Sequence, residues 1–194
     1  MSEPVDPTHA ADATPPSRAD APDATAALAR CLRETEAHVA GAGWDAPMRL
    51  FALVRLAEAL AEDPSLASML PEPDGDPHQL IAVEQEGLPE AETLEDLLAQ
   101  ISWPESVDGA AIVIERVVVP PSAEAEVDTD DPQAVAALAQ REDAQDVRMA
   151  AGVLRSGERW CALRARSHDT DDQVMGGADL VPGLVAALAV TLED

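Results

Sequence analysis

The run GAAIVIERVVVPP, residues 109–121, most constrains what this chain can become. It is apolar and β-branched, it lacks a helical period, and two prolines stop it, so it reads as a strand. QLIAVEQE, starting at Gln79, reads as a second, shorter strand. DVRMAAGVLRSGERWCALRARSH, starting at Asp146, reads as a hairpin about a two-residue turn at Ser156-Gly157. In that register Met149, Ala151 and Val153 share a face with Trp160, Ala162, Arg164 and Arg166, and Ala150, Gly152 and Leu154 share the other with Arg159, Cys161 and Leu163. Both faces are mostly apolar, so both call for cover by another layer.

Helical periods fill the intervals. Asp23 or Thr25 can cap a first helix with Leu28, Cys31 or Leu32, Thr35 and Val39 on one side. Arg30, Arg33, Glu34 and Glu36 fall on its other side, and Gly41 and Gly43 end it. DAPMRLFALVRLAEALAED reads as a second helix, apolar round most of its circumference and therefore the most deeply buried. Thr93 caps a short helix, Pro132 opens another behind Asp131, and a last one, Leu180–Leu192, is capped by Asp179 and apolar nearly all round. This order lacks the regular alternation of a doubly wound parallel sheet. The expected fold is α+β: a small mixed or antiparallel sheet of about four strands, including the C-terminal hairpin, packed with helices.

Residues 1–22, rich in Pro, Ala and Asp, cannot bury enough to offset their ordering entropy and read as a disordered tail. Ser122–Asp131 reads as an acidic loop. Residues 23–194 are expected to form a single α+β domain around one aliphatic interior, because aromatic residues make up only 2% of the chain.

Charge restricts the partners. Twelve basic against 38 acidic residues give a net charge of -26, a field that repels nucleic acid and anionic membranes and favours basic partners. Every basic residue is an arginine, so a Schiff-base lysine and a Walker-type phosphate site are excluded. Cys31 and Cys161 stand far apart, as expected of small buried hydrophobes in a reducing compartment. No basic-then-apolar leader is visible, and the longest apolar stretch falls short of the roughly 20 residues that span a bilayer, so a cytoplasmic location without membrane insertion is expected.

Chemical motifs are weak. GAGWDA, from Gly41, matches a loose dinucleotide fingerprint but follows a helix instead of a strand, and reads as an interhelical turn. The two DTDD runs fail the calcium-loop pattern at its glycine and its terminal acid. Cys161 with His168, and Cys31 with His38, lack structural zinc spacing. Ser167 and His168 are adjacent on what reads as a strand, where neighbours face opposite ways, which argues against a dyad. No catalytic residue, metal or cofactor is expected. One candidate binding site remains: Trp160, Arg164, Arg166 and His168 along one face, with Gly176 and Gly177 just beyond, able to hold a carboxylate. The rival reading pairs those arginines internally with Asp169, Asp171, Asp172 or the acidic loop, and the acid excess favours it.

Through WDAPMRLFALV, AVEQEGLP, ISWP, GVLRSGERWCALRARSHD and DLVPGLVAAL, residues 44–188, the chain resembles an uncharacterised actinobacterial protein family of similar length. That resemblance implies a cytoplasmic protein with one domain and a variable N-terminal tail, and it brings no activity, cofactor or catalytic residue. More loosely, the acidity, size and element order are similar to secretion-chaperone folds. The expected function is therefore a non-catalytic protein-binding or chaperone-like module with a basic or apolar protein client. The alternative is a small-molecule protein or enzyme using the arginine and histidine notch on a carboxylate. A contiguous apolar patch favours the first, a closed cationic pocket the second.

Overall fold

A computed structural model describes residues 23–120 and 132–193. The expected disordered tail, the acidic loop and the Asp131 cap lie outside the described residues. In chain order the elements are α1 (Ala24–Ala40), β1 (Arg49–Arg55), α2 (Leu56–Glu62), β2 (Leu80–Glu84), α3 (Leu94–Leu98), β3 (Gly109–Val118), α4 (Pro132–Ala139), β4 (Gln145–Leu154), β5 (Arg159–Ala165), β6 (Met175–Gly177) and α5 (Pro182–Val190). Short 3₁₀ turns occupy Pro64–Ser68, Arg166–His168 and Asp171–Gln173.

The strands form an open antiparallel sheet in the order β2-β1-β3-β4-β5-β6. Among the described residues six strands replace the expected four; β1 and β6 are the additions. The long helix expected over Asp45–Asp63 is half strand: RLFALVR forms β1, and only LAEALAE is helical. A central strand with Leu50, Phe51, Ala52 and Leu53 all buried has apolar side chains on both faces. Its sequence is then a continuous apolar run, which periodicity cannot tell from a helix buried all round. β6 has no sequence signal because Met-Gly-Gly carries no strand propensity.

The hairpin register also differs. Leu154 N–H donates to Glu158 O at 2.9 Å, and Gly157 N–H donates to Leu154 O at 2.9 Å. The loop is therefore Arg155-Ser156-Gly157, with Gly157 at φ 101°, a conformation glycine adopts without steric cost. One residue more than a two-residue turn moves every β5 side chain to the other face relative to β4. Met149 now faces Leu163, Ala151 faces Cys161, and Arg148 faces Arg164.

The apolar interior divides in two, one part on each face of the sheet, where a single core was expected. On one face α1 lays Leu28, Cys31, Leu32 and Val39 over Phe51, Leu53, Ala111, Val113, Ala150 and Ala162. On the other, Val185, Leu188 and Leu192 from α5 and beyond it, with Leu98 and Trp103, cover Leu50, Ala110, Ile112, Ala151, Val153 and Cys161. Asp23 caps α1 by accepting from Thr25 N–H, and Thr93 caps α3 by accepting from Asp96 N–H, as their sequence positions suggest. Asp179 does not cap α5: the N-cap is Val181, and Asp179 instead pairs with Arg159 at 3.0 Å. Nor is α5 buried all round, since Val190 is 61% exposed.

Arg155 ties the hairpin loop to its surroundings. Its guanidinium donates to the carbonyls of Val107 (3.0 Å), Trp103 (3.0 Å) and Leu192. Arg155→Ala is expected to destabilise the fold by about 1–3 kcal/mol, because it leaves these acceptors without their charged donor. Urea unfolding measures it.

Candidate functional site

Two features of the sheet are candidates. The first contains the arginines singled out in the sequence, at the end of β5 beside the C-terminus of α1. Arg164 lies 2% exposed on the α1 face, directly opposite Arg148, which is fully buried. Between the two guanidinium groups stands Glu36, 1% exposed, although its position in the helix was expected to be on the outer side. Arg164 donates to both Glu36 oxygens at 2.7 Å, to Asp171 Oδ1 at 2.7 Å and to Asp169 Oδ1 at 3.3 Å. Arg148 donates to Glu115 Oε1 from Nε (3.1 Å) and Nη2 (2.8 Å) and to the Gly43 carbonyl. Its Nη1 lies 3.6 Å from Glu36 Oε1.

Trp44 roofs this cluster. Its ring centroid lies 4.4 Å from the Arg148 guanidinium and 5.4 Å from that of Arg166, within cation–π range, and its indole N–H donates to Asp169 Oδ2 at 2.8 Å. Arg166 is held by Asp45 through two bonds of 2.8 and 3.0 Å, with Asp146 at 3.4 Å. Glu36, and after it Asp171, push the Arg164 pKa upward. Trp44 and Arg164 hold the Asp169 carboxyl below its usual 3.8, and Arg166 does the same for Asp45. Depressed carboxylates contribute stability above the unfolded pKa and lose it as pH falls through the folded one. In the folded protein, acidification through the depressed Asp169 value is therefore expected to weaken the Trp44 roof, read as a shift of its indole N–H resonance. A resonance that stays fixed until global unfolding would contradict it.

The remaining residues of that site lie nearby but separately. Trp160 packs over Gly176, where an added Cβ would approach the indole to 2.7 Å, and Arg33 stacks on the same ring at 5.5 Å. Gly177 pairs with Cys161 in β6. Arg166 and His168 leave the strand in a 3₁₀ turn, so Ser167 and His168 do not face opposite ways as a strand requires: Ser167 Oγ and His168 Nδ1 lie 2.9 Å apart, both exposed. Trp44, Glu36, Glu115 and Arg148 were missed in the sequence. The stripe Leu28, Leu32, Glu36 at helical spacing was the available signal for Glu36, and the correct hairpin register was the signal for Arg148.

The cysteines serve neither feature. Cys31 belongs to the interior under α1 and Cys161 to the one under α5, on opposite faces of the sheet. Burial pushes the Cys31 thiol up to about 12 and raises that of Cys161. Thiol reagents are therefore expected to label neither until the chain unfolds. Labelling of the folded protein at mildly alkaline pH would contradict this. Among the described residues no group of His, Cys, Asp or Glu is placed to hold a metal ion, and no helix is long and apolar enough to cross a membrane.

The second feature lies on the opposite face. There α5 packs mainly on β4 and β3. Beyond it a cross-strand row, Met149-Leu163-Met175, and a second row with Val147 and Ala165 form the floor of a groove. Leu180 and Val181 wall one side, and Val118, Val119 and Pro120 wall the other. The groove encloses about 410 Å³. Met175 is 61% exposed and Leu180 40%. Past Met149 and Val181 it continues into a hollow edged by Glu92, Glu95 and Arg116. At its near end Asp143 is held by Arg141 at 2.7 and 2.9 Å. The floor is apolar, and the charged groups stand at the ends.

A family model described as PPA1309-like protein matches residues 28–193. No curated protein and no solved structure matches the chain.

Proposed function

The chain belongs to the PPA1309-like protein family, and we propose that it is a non-catalytic, chaperone-like module that holds a basic or apolar segment of a client protein. The open apolar groove beside α5 carries this reading. Exposed apolar surface is costly to keep in water, and an apolar groove with charged ends marks an interaction surface. The net charge of -26 supplies long-range attraction for a basic client and repulsion against further copies of the same chain.

The alternative, carboxylate binding by Arg164, Arg166 and His168, gains less support. Glu36, Asp169 and Asp171 already take the Arg164 donors, and Asp45 takes those of Arg166. That reading is tested cleanly by Arg166→Ala, because Arg166 is exposed, whereas Arg164→Ala would disturb buried partners.

The client reading is tested by Met175→Glu combined with Leu180→Glu. Met175 is largely exposed and Leu180 partly so, and the fold should survive with a small loss in melting temperature. Binding of a client identified by capture from the native host should fall at least tenfold, on the order expected when an apolar anchor becomes charged. Unaltered client affinity, or recovery of a stoichiometric metabolite that Arg166→Ala abolishes, would remove the proposal.

A further inference from the structure

Resting on the client reading, we infer that the bound segment is an extended strand that adds to the free edge of β6, with apolar side chains alternating with basic ones. The register carries this. Leu154 and Glu158 share a ladder bond, so the alternate pairs Gly152/Trp160 and Ala150/Ala162 do likewise. β5 therefore turns the N–H and C=O of Cys161 and Leu163 toward β6, where Gly177 and Met175 oppose them. The N–H and C=O of Gly176, between those two, then point away from the sheet. Gly176 is exposed, β6 ends the sheet, and no described residue takes either group.

The groove floor reaches this same edge. Its row ends at Met175, next to Gly176. A strand laid against β6 would extend the row, and every second side chain would enter the groove. Its intervening side chains would emerge on the α1 face. There the 3₁₀ turn preceding β6 presents Asp171, whose side chain is 84% exposed, and the exposed Asp172. Arg33 also approaches Gly176 and excludes a long cation immediately opposite it, so the basic positions belong toward the Asp172 end. A helix could fill the groove but would leave the Gly176 groups unpaired, and a second copy would bring its own large negative charge to the same edge.

The probe is a capped peptide of about eight residues alternating valine and lysine, with alanine in place of the one central lysine that would lie opposite Gly176 beside Arg33, and long enough for one strand. It is compared with a peptide of the same composition in helical order, with a valine–glutamate analogue, and with two forms N-methylated on opposite amide parities. Changing the peptide avoids a Cβ at Gly176, which would lie 2.7 Å from the Trp160 ring. The alternating basic peptide should bind, one N-methylated form should lose at least tenfold while the other is spared, and the helical-order and acidic peptides should bind at least tenfold more weakly. Equal binding of the helical-order peptide, insensitivity to either N-methylation, or no binding by the alternating peptide would overturn strand addition. So would a concentration-dependent dimer that occupies the groove and excludes every peptide. In the first two cases, loss of binding on Met175→Glu with Leu180→Glu would leave the client reading standing; binding indifferent to those substitutions would remove both.

Discussion

Glu36→Gln is expected to destabilise the fold by about 3–5 kcal/mol, the cost of removing one partner from a buried ion pair. The Glu36 carboxylate faces two guanidinium groups that are almost wholly inaccessible to water, and it gives Arg164 both of its oxygens. A glutamine has the same shape but no charge, and one of its two terminal atoms is a donor. It would turn that donor on Arg164 or leave it unpaired. Asp171 and Asp169 reach Arg164 from solvent, whereas Arg148 would keep one carboxylate, Glu115, with the Gly43 carbonyl and the Trp44 ring. Urea unfolding measures the loss. Combining Glu36→Leu with Arg148→Met and Arg164→Met should recover most of it, since apolar replacement of a whole buried ionic group is often neutral or better. A loss below about 1 kcal/mol for Glu36→Gln would mean that water reaches the cluster and that its arginines are surface charges in effect.

That cluster shows where sequence reading succeeds and where it stops. The acid excess correctly suggested that Arg164 and Arg166 would find partners within the chain, and Asp169 and Asp171 are among them. The dominant partner, Glu36, falls on the solvent side of α1 when the helical period is taken from Thr35 and Val39. Buried charge contradicts the hydrophobic pattern by which a buried face is recognised, so only the fold could place it. Arg148 was hidden by the hairpin loop: an error of one residue in loop length exchanges the two faces of β5. The same slip obscured the groove. It put Met149 beside Arg164, when Met149 lies opposite Leu163 on the other face of the sheet.

Local chemistry was more legible. The caps at Asp23 and Thr93, the strand at Gly109 and the existence of the hairpin follow from residues within a few positions of one another. Strand β1 did not, because its burial on both faces is a consequence of layers contributed by α1 and α5 from opposite ends of the chain. The groove is less legible still. It exists because α5 is short and packs mainly on β4 and β3, and no local pattern records the area a helix leaves uncovered.

Leu32→Ala is expected to cost about 2–5 kcal/mol, as for other fully buried leucines, and its interaction with Gly152 should show how α1 is seated. Leu32 is wholly inaccessible, and its side chain fills the space over Gly152 where a Cβ would lie 2.9–3.0 Å from its methyl groups. Gly152 thus lets α1 approach β4 closely, and Glu36 follows Leu32 by one helical turn on the same side. Gly152→Ala should therefore lift Leu32 and cost about 1–3 kcal/mol by overpacking. With both substitutions present, the added methyl occupies part of the space vacated by the leucine. The double variant should then lose less than the sum of the single losses, by about 0.5–3 kcal/mol of coupling in the unfolding cycle. The Trp44 indole resonance should move in Gly152→Ala, because raising α1 draws Glu36 off Arg148 and Arg164, and return toward its normal position in the double variant. Strict additivity, with the indole signal unmoved, would show that α1 is held by its remaining contacts and that Gly152 does not set the height at which Glu36 meets the arginines.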